Sequence, residues 1–213
     1  MSCRLCSHTT TVFTELRGRV YEKCTHCHLV QVSEAHLPSA QVELEETSLH
    51  QNDSSDPGYR RFLQPALLAG LDWLKGSASA TTIVDFGSGP GPALPAIFAE
   101  HGWTVQCTDP LFGPVECPDE CDLVLCTEVV EHFHRPAVTW AQLAWMLRAG
   151  GAIVVMTALA DHFADPVAFR GWHYPREQSH VAFYSSTTIR WIAERHSFEL
   201  LQLDRRLQVL QKS

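Results

Sequence analysis

The sequence predicts an α/β fold: a mostly parallel sheet covered on both faces and closed by a C-terminal hairpin, preceded by a small metal-stapled ribbon. Three features carry that expectation. Strand-like and helix-like patterns alternate from residue 59 onward, the arrangement that gives a parallel sheet with helices on its faces. A glycine-rich turn at 87–91 joins a short apolar strand to a helix. Two CxxC pairs open the chain, Cys3 with Cys6 and Cys24 with Cys27.

Composition sets the outer limits. Of 213 residues, 45% are apolar and 19% charged, ordinary for a globular chain and far from a disordered one. The length suits one domain plus a small module. Apolar runs fall short of the ~18 residues that a membrane span needs, and MSCRLCSHTT lacks the apolar core of a signal peptide. The expectation is a cytoplasmic protein that does not enter a membrane. A formal charge of −8 repels phosphate and argues against a broad nucleic-acid surface. The oligomeric state is left open.

Residues 1–33 read as a zinc ribbon. CRLC and CTHC are separated by 17 residues. Each CxxC turns tightly enough to aim two sulfurs at one point, and two such turns complete a tetrahedral thiolate site. Cys3, Cys6, Cys24 and Cys27 are therefore the candidate Zn2+ ligands, with redox dithiols or a disulfide staple as alternatives. Residues 10–16 and 19–23 alternate as a hairpin around Gly18, and 29–32 can add a third strand. So small a unit has little core of its own, so metal would supply its folding energy. Cys107, Cys117, Cys121 and Cys126 show no paired spacing. Cys107 and Cys126 fall in strand-like runs and are expected as small buried residues; Cys117 and Cys121 fall in a polar loop.

Residues 34–58 hold six acids and no Lys or Arg, without a sustained period. They read as an acidic linker or flap, leaving 59–213 as the larger domain. Its elements follow in order. Apolar residues at 59, 62, 63, 67, 71 and 74 have helical spacing. TTIVDF at 81–86 is a short buried strand. Residues 92–101 are expected as a helix, with Pro92 in its first turn and Gly102 past its end. Strands at 103–108, 122–126 and 152–157 alternate with helices at 136–147 and 185–196. Residues 198–203 and 207–211 pair as the closing hairpin. Trp140, Trp145 and Trp191 sit on helical faces and read as core. In such a sheet the ligand crevice lies at the carboxyl ends of the strands.

The informative junction is VDFGSGPGP at 84–92. Glycine lets the backbone turn sharply and approach a ligand with no Cβ in the way. A dinucleotide fingerprint fails, because its third glycine position is Pro92, and no GK[ST] follows to make a P-loop. What remains is D-x-G-x-G-x-G from Asp85, followed 24 residues later by Asp109 at the end of the next strand. A carboxylate there can accept bonds from both ribose hydroxyls of an adenosine. The pair reads as a nucleoside-cofactor site with no pyrophosphate requirement; a plain turn with a solvated aspartate is the alternative.

VDFGSGPG, TDP, CDLVLCTEVVEHF and LRAGGAIVVMT, in that order, resemble the class I S-adenosylmethionine-dependent methyltransferases over residues 59–205. The resemblance implies a Rossmann-like methyltransferase fold with S-adenosylmethionine as cofactor. It implies that Asp85 and the turn of Gly87, Ser88, Gly89 and Gly91 pack against the methionine part. It implies that Asp109, followed by Pro110, holds the ribose, and that Thr127 and Glu128 line the methyl-transfer site. One departure stands out: the family has a helix and a strand between the positions of Asp109 and Asp122, where this chain has only PLFGPVECPDEC. The sheet is therefore expected one strand short, with Leu111 and Phe112 as apolar candidates to flank the adenine.

Methyl transfer from a sulfonium is an in-line displacement, so alignment is the main demand. A base is needed only where the nucleophile arrives protonated. Candidate groups cluster in two places. Glu128, Glu131, His132 and His134 follow the third strand. Trp172, His173, Tyr174, Glu177 and His180 lie in the aperiodic, aromatic segment 161–185, which reads as a substrate-covering lid. In similar methyltransferases a W-x-Y stretch and an HVxFY stretch lie near the acceptor pocket. His132, Glu131 and His180 are the candidate catalytic residues, and His134, Trp172, His173 and Tyr174 the candidate acceptor contacts. The bland alternatives are a helix-surface pair for Glu128 and His132, a lid pin for His180, and ordinary packing for the aromatics. A small-molecule or carrier-bound acceptor is the first reading, since nucleotide-sugar C-methylating enzymes share the paired cysteines and the glycine motif. The alternatives are an RNA-modifying methyltransferase and a non-catalytic, cofactor-binding interaction module.

Overall fold

The computed structural model describes residues 1–49, 52–76, 81–112 and 120–213. The cysteine-rich segment makes an antiparallel hairpin of β1 (Thr10–Leu16) and β2 (Arg19–Cys24), and β3 (Val30–Val32) pairs with β2. Two helices follow, each started by a side-chain cap that satisfies orphan N–H groups. Ser39 caps α1 (Ala40–Ser48), and Asp56 caps α2 (Pro57–Trp73) by accepting from the N–H groups of Gly58 and Tyr59. The alternating part then runs β4 (Ile83–Phe86), α3 (Leu94–Ala99), β5 (Val105–Thr108), β6 (Cys121–Thr127), α4 (Pro136–Met146) and β7 (Leu147–Met156). It closes with α5 (Pro166–Gly171), β8 (Ala182–Phe183), α6 (Ser186–Arg195), β9 (Phe198–Leu203) and β10 (Leu207–Lys212).

The main sheet has the order β5-β4-β6-β7-β10-β9. Its first four strands are parallel, and β10 runs antiparallel to both β7 and β9. Among the described residues no strand stands between β5 and β6 in sequence; residues 113–119 lie outside them. Strand alternation divides the interior in two. Leu123, Leu125 and Val154 pack with Leu63, Leu94 and Phe98 of α2 and α3. Val124, Cys126, Ile153 and Val155 pack with Trp140 and Leu143 of α4 and Ile189 and Ile192 of α6.

That second core continues into the cysteine ribbon through Leu5, Cys27 and Leu29. The continuity follows from a second sheet, β1-β2-β3-β8, in which Val30 registers with Phe183. The other face of this sheet holds Tyr21 and Val32 against Phe169, Trp172 and Tyr174. The ribbon therefore shares strands and core with the segment expected as a lid. Polar ties reinforce the join. Arg4, inside the first CxxC, donates to the carbonyls of His134 at 2.7 Å and Val181 at 2.8 Å. Thr188 of α6 donates to the carbonyl of Cys27 at 2.9 Å.

Several expectations need correction. The stretch expected as a linker or flap holds a helix that the sequence reading did not foresee: α1, of nine residues, whose sequence offers no apolar stripe to announce it. The helix expected at 92–101 spans only Leu94–Ala99, because the glycine turn holds Pro92 outside it. Cys107 is exposed because β5 is an edge strand, and Cys121 is buried at the start of β6 rather than in a loop. Cys117 lies outside the described residues. Trp145 is 68% exposed: it follows Trp140 by five residues, which turns it about 140° away from the buried face. Trp140 is fully buried and Trp191 packs at the edge of the core. No described helix is long and apolar enough to cross a membrane.

Candidate active site

A cavity of about 500 Å³ opens at the carboxyl ends of β4, β5 and β6, where the topology places ligands. The turn after β4 forms one end. Gly87 has φ +76°, and a Cβ there would lie 2.0 Å from Val129 Cγ2, so the turn packs flush against the segment after β6. Gly89 also has positive φ, but a Cβ on it would meet only the Asn52 amide, at 3.8 Å. Asp109 is held by two backbone donors, the N–H of Gly89 at 2.8 Å and that of Leu111 at 2.9 Å. A carboxylate offers about four acceptor positions, so both oxygens keep capacity for ligand hydroxyls. Asp85 is almost wholly buried, and burial pushes its carboxyl up to about 7, with the charge of Asp109 adding. Burial likewise raises the Tyr59 phenol to about 12, with Asp85 and Glu128 adding. This end is an open backbone cradle over an acidic floor.

The other end is built from side chains. Glu128, at the end of β6, sits at φ +51°, a region that residues other than glycine seldom occupy and that often marks functional sites. Its carboxylate takes Arg206 at 3.0 Å and the hydroxyl of Tyr174 at 3.1 Å. The Arg206 guanidinium also lies over the ring of Phe62. Glu131 is fully buried behind the cavity wall, accepting from Thr157 at 2.9 Å and from Tyr174. Burial first, and Glu128 second, push its carboxyl up to about 8. The rings of His132 and His180 meet edge to face at 4.8 Å. His180 Nδ1 donates to the Tyr174 carbonyl at 2.9 Å, which leaves Nε2 facing the Glu177 carboxylate at 3.1 Å.

The acidic segment partly covers the cavity. Glu43 of α1 reaches His134 at 2.6 Å. One turn on, the Glu46 carboxylate accepts from the backbone N–H groups of Gln178 and Ser179 at 3.3 and 2.8 Å. The acidic segment thus lies across the cavity, clasped to both the post-β6 loop and the lid by polar contacts.

Most of the expected site residues converge. Asp85, Gly87, Ser88, Gly89, Asp109 and Pro110 line one end; Thr127, Glu128, His132, His134 and His180 line the other. Gly91 and Glu131 lie outside the lining. Trp172, His173 and Tyr174 border a separate cavity of about 290 Å³; Trp172 and Tyr174 are buried, with Phe163 stacked on Trp172 at 4.4 Å. Leu111 borders the main cavity near Asp109. Sequence reasoning missed Glu43, Thr47 and Asn52 from the acidic stretch, and Tyr59 and Phe62 from α2. The last two stack on each other three residues apart, a spacing that reads equally as core.

The four N-terminal cysteines also converge. Cys3 and Cys27 sulfurs lie 3.6 Å apart, Cys6 and Cys24 sulfurs 3.4 Å apart, and all four fall within 4.8 Å of one another. Thiolates about 2.3 Å from a tetrahedral ion stand about 3.8 Å apart, so the cluster is compatible with a zinc ribbon. The His26 N–H points at Cys24 Sγ, 3.4 Å away, as expected of a turn that stabilises a thiolate.

Comparisons with known proteins agree with this geometry. The chain is similar in structure to the 1,6-didemethyltoxoflavin-N1-methyltransferase of Burkholderia thailandensis, solved with 1,6-didemethyltoxoflavin and S-adenosylhomocysteine bound. The match has 14% identity and a TM-score of 0.57, and covers 92% of this chain and 96% of that one. It is also similar to magnesium protoporphyrin IX methyltransferase of Synechocystis PCC 6803 with bound S-adenosylmethionine, at 12% identity and a TM-score of 0.53, covering 85% of this chain and 100% of that one. At such identities the likeness speaks for the fold. No curated protein matches the chain by sequence. The family model described as a methyltransferase domain matches residues 58–203, a span that holds both ends of the cavity. The chain belongs to this methyltransferase-domain family, within the class I S-adenosylmethionine-dependent methyltransferases.

Proposed function

We propose that this enzyme methylates a small-molecule or carrier-bound acceptor inside the covered cavity. The observation that carries the reading is one continuous cavity with two chemically different ends, a backbone cradle beside Asp109 and a histidine-rich wall beside α1 and the segment 161–185. S-adenosylmethionine supplies an electrophilic methyl group on a sulfonium when bound. The glycine turn (Gly87, Ser88 and Gly89) holds its methionine part, and Asp109 accepts its ribose hydroxyls, with Pro110 and Leu111 beside the adenine. Asp85 and Glu128 lay negative charge along a cationic ligand, and Thr127 borders the reacting end.

On the acceptor side, His132, His134 and His180 orient the nucleophilic atom, and His132 takes its proton where it arrives with one. Tyr174 holds Glu128, Glu131 and His180 in place rather than touching the acceptor, and Trp172 and His173 shape the lid behind it. Water exclusion by α1 and the lid strengthens each of these polar contacts. The two similar enzymes are named for small or compact acceptors, which supports this reading over RNA. Acids also outnumber bases along the cavity, where RNA binding would call for the reverse.

We further propose that Cys3, Cys6, Cys24 and Cys27 hold a structural Zn2+ that staples a ribbon at 1–33. In this organisation 34–58 is a flap, 59–213 is the methyltransferase domain, and the enzyme works in the cytoplasm. Calorimetric titration of zinc-loaded protein with S-adenosylhomocysteine tests the cofactor end. One-to-one binding is expected, weakened by about 1.5–3 kcal/mol in Asp109→Ala, the range for hydrogen bonds to a charged group. Unchanged binding in the variant would overturn the ribose assignment. No binding by the folded wild-type chain would overturn the cofactor reading.

A further inference from the structure

Behind the acceptor end of the cavity, Glu131, His132 and His180 each present one donor atom, and the three atoms lie within 4.8 Å of one another. We propose that these residues bind a divalent first-row transition-metal ion, at a second site separate from the cysteine cluster.

The surroundings suit a metal site. Imidazole ligands ordinarily donate their second nitrogen to a carbonyl or carboxylate, which fixes the tautomer and aims the first. His180 does this: Nδ1 is committed to the Tyr174 carbonyl, and Nε2 is the outward nitrogen. Ligating carboxylates are themselves oriented by hydrogen bonds. Glu131 is held in this way by Thr157 and Tyr174 and retains lone pairs beyond those bonds. Glu131 lies behind the wall while His132 and His180 line the cavity. The protein would therefore surround an ion on one side and leave its other positions open to the cavity, as catalytic metal sites do.

Ligands about 2.1 Å from an ion stand roughly 3–3.5 Å apart, so closure by about 1 Å is needed. Rotation of the half-exposed His132 ring, with Glu177 swinging off His180, provides it. Two imidazoles and one carboxylate favour the manganese-to-zinc series over magnesium or calcium, whereas four thiolates favour zinc. The ion would take an acceptor that carries an oxygen donor, a hydroxyl, enolate or carboxylate, next to the methylated atom. That last step rests on the acceptor end assigned under Proposed function. A metal-bound His132 would hold the acceptor through the ion instead of taking its proton, so the two roles are separable.

The test is titration with Mn2+ of the full-length protein loaded with no more than one zinc per chain, with free Mn2+ read by electron paramagnetic resonance. One Mn2+ per chain is expected to bind in addition to the ribbon's zinc. His132→Ala and Glu131→Gln should each weaken it at least about tenfold, the loss usual for altered coordination shells. His8→Ala, beside the ribbon and away from the cavity, should leave it unchanged. Unfolding transitions confirm that each variant is folded; His132 is half-buried, so its variant remains informative if Glu131→Gln does not fold. Failure to bind at millimolar Mn2+, or binding indifferent to His132→Ala, overturns the proposal. An S-adenosylhomocysteine titration on the same samples separates the failures. Binding of S-adenosylhomocysteine without Mn2+ removes only the metal site, and Mn2+ binding without S-adenosylhomocysteine removes only the cofactor reading.

Discussion

The two ends of the cavity are made in different ways. The end proposed for the cofactor is backbone: a turn that Val129 keeps flush, and the N–H groups of Gly89 and Leu111 fixing Asp109. The end proposed for the acceptor is side chains drawn from four separate segments: Glu43 from α1, Phe62 from α2, His132 and His134 after β6, and Glu177 and His180 from the segment 161–185. A backbone-built site depends on a few residues close in sequence and tolerates little change. A side-chain-built site can be re-specified one residue at a time, which lets one fold serve many acceptors.

The contrast can be broken from either side. The largest effect is expected from Cys24→Ser, which removes one of four converging sulfurs and, with it, the proposed zinc site, worth on the order of 10 kcal/mol in isolated zinc-binding peptides. The ribbon shares a sheet with β8, so hydrogen exchange should accelerate in 174–184, while S-adenosylhomocysteine affinity stays within about threefold, well under one hydrogen bond to a charged group. Equal loss at both ends would show that the two are one cooperative unit. Gly87→Ala should destabilise the whole domain by about 2–5 kcal/mol in urea unfolding, combining a left-handed backbone with an overpacked Val129. A neutral result would mean that the turn relaxes away from Val129.

Asp85 gives a pH signature confined to the cofactor end. Its carboxyl sits near 7 in the folded chain against an ordinary 3.8. Between about pH 4 and 7 the unfolded group is ionised while the folded one holds its proton, so this group's contribution to stability falls as pH rises. A cationic ligand favours the ionised form, so S-adenosylmethionine affinity should strengthen with pH, approaching tenfold per unit below about 7. Asp85→Asn should flatten that slope, and an unchanged slope would assign it elsewhere. The smallest effect is expected from Glu43→Gln, which weakens a partly exposed pair with His134 worth about 0.2–1 kcal/mol. Amide exchange in α1 should rise a few-fold with no change at the glycine turn. Stiffer α1 amides would show that the clasp depends on other contacts.

What the sequence revealed follows the same divide. β1 and β9 were legible to the residue, and the glycine turn and Asp109 came together as their order implied. Each of these is set locally, by strand alternation or by a glycine's permitted angles. α1 escaped notice because its anchors, Glu43 and Glu46, find their partners at His134, Gln178 and Ser179, far along the chain. β8 is two residues long, too short for any period. Trp172 and Tyr174 look like pocket walls by type, yet they pack against Phe183 and Phe169 of a core that exists only once the ribbon has docked.

That docking has a consequence for biogenesis. The ribbon is synthesised before the rest of the described fold, yet β3 keeps an unpaired edge until Ala182 and Phe183 have been made. Exposed edges template wrong pairings, and nascent chains acquire structure from the N-terminus forward. A nascent chain stalled before residue 182 would therefore display a cysteine ribbon with a sticky margin. Synthesis of β8 would both seal that margin and hold His180 at the cavity, so quality control of the ribbon and assembly of the histidine-lined wall become the same event.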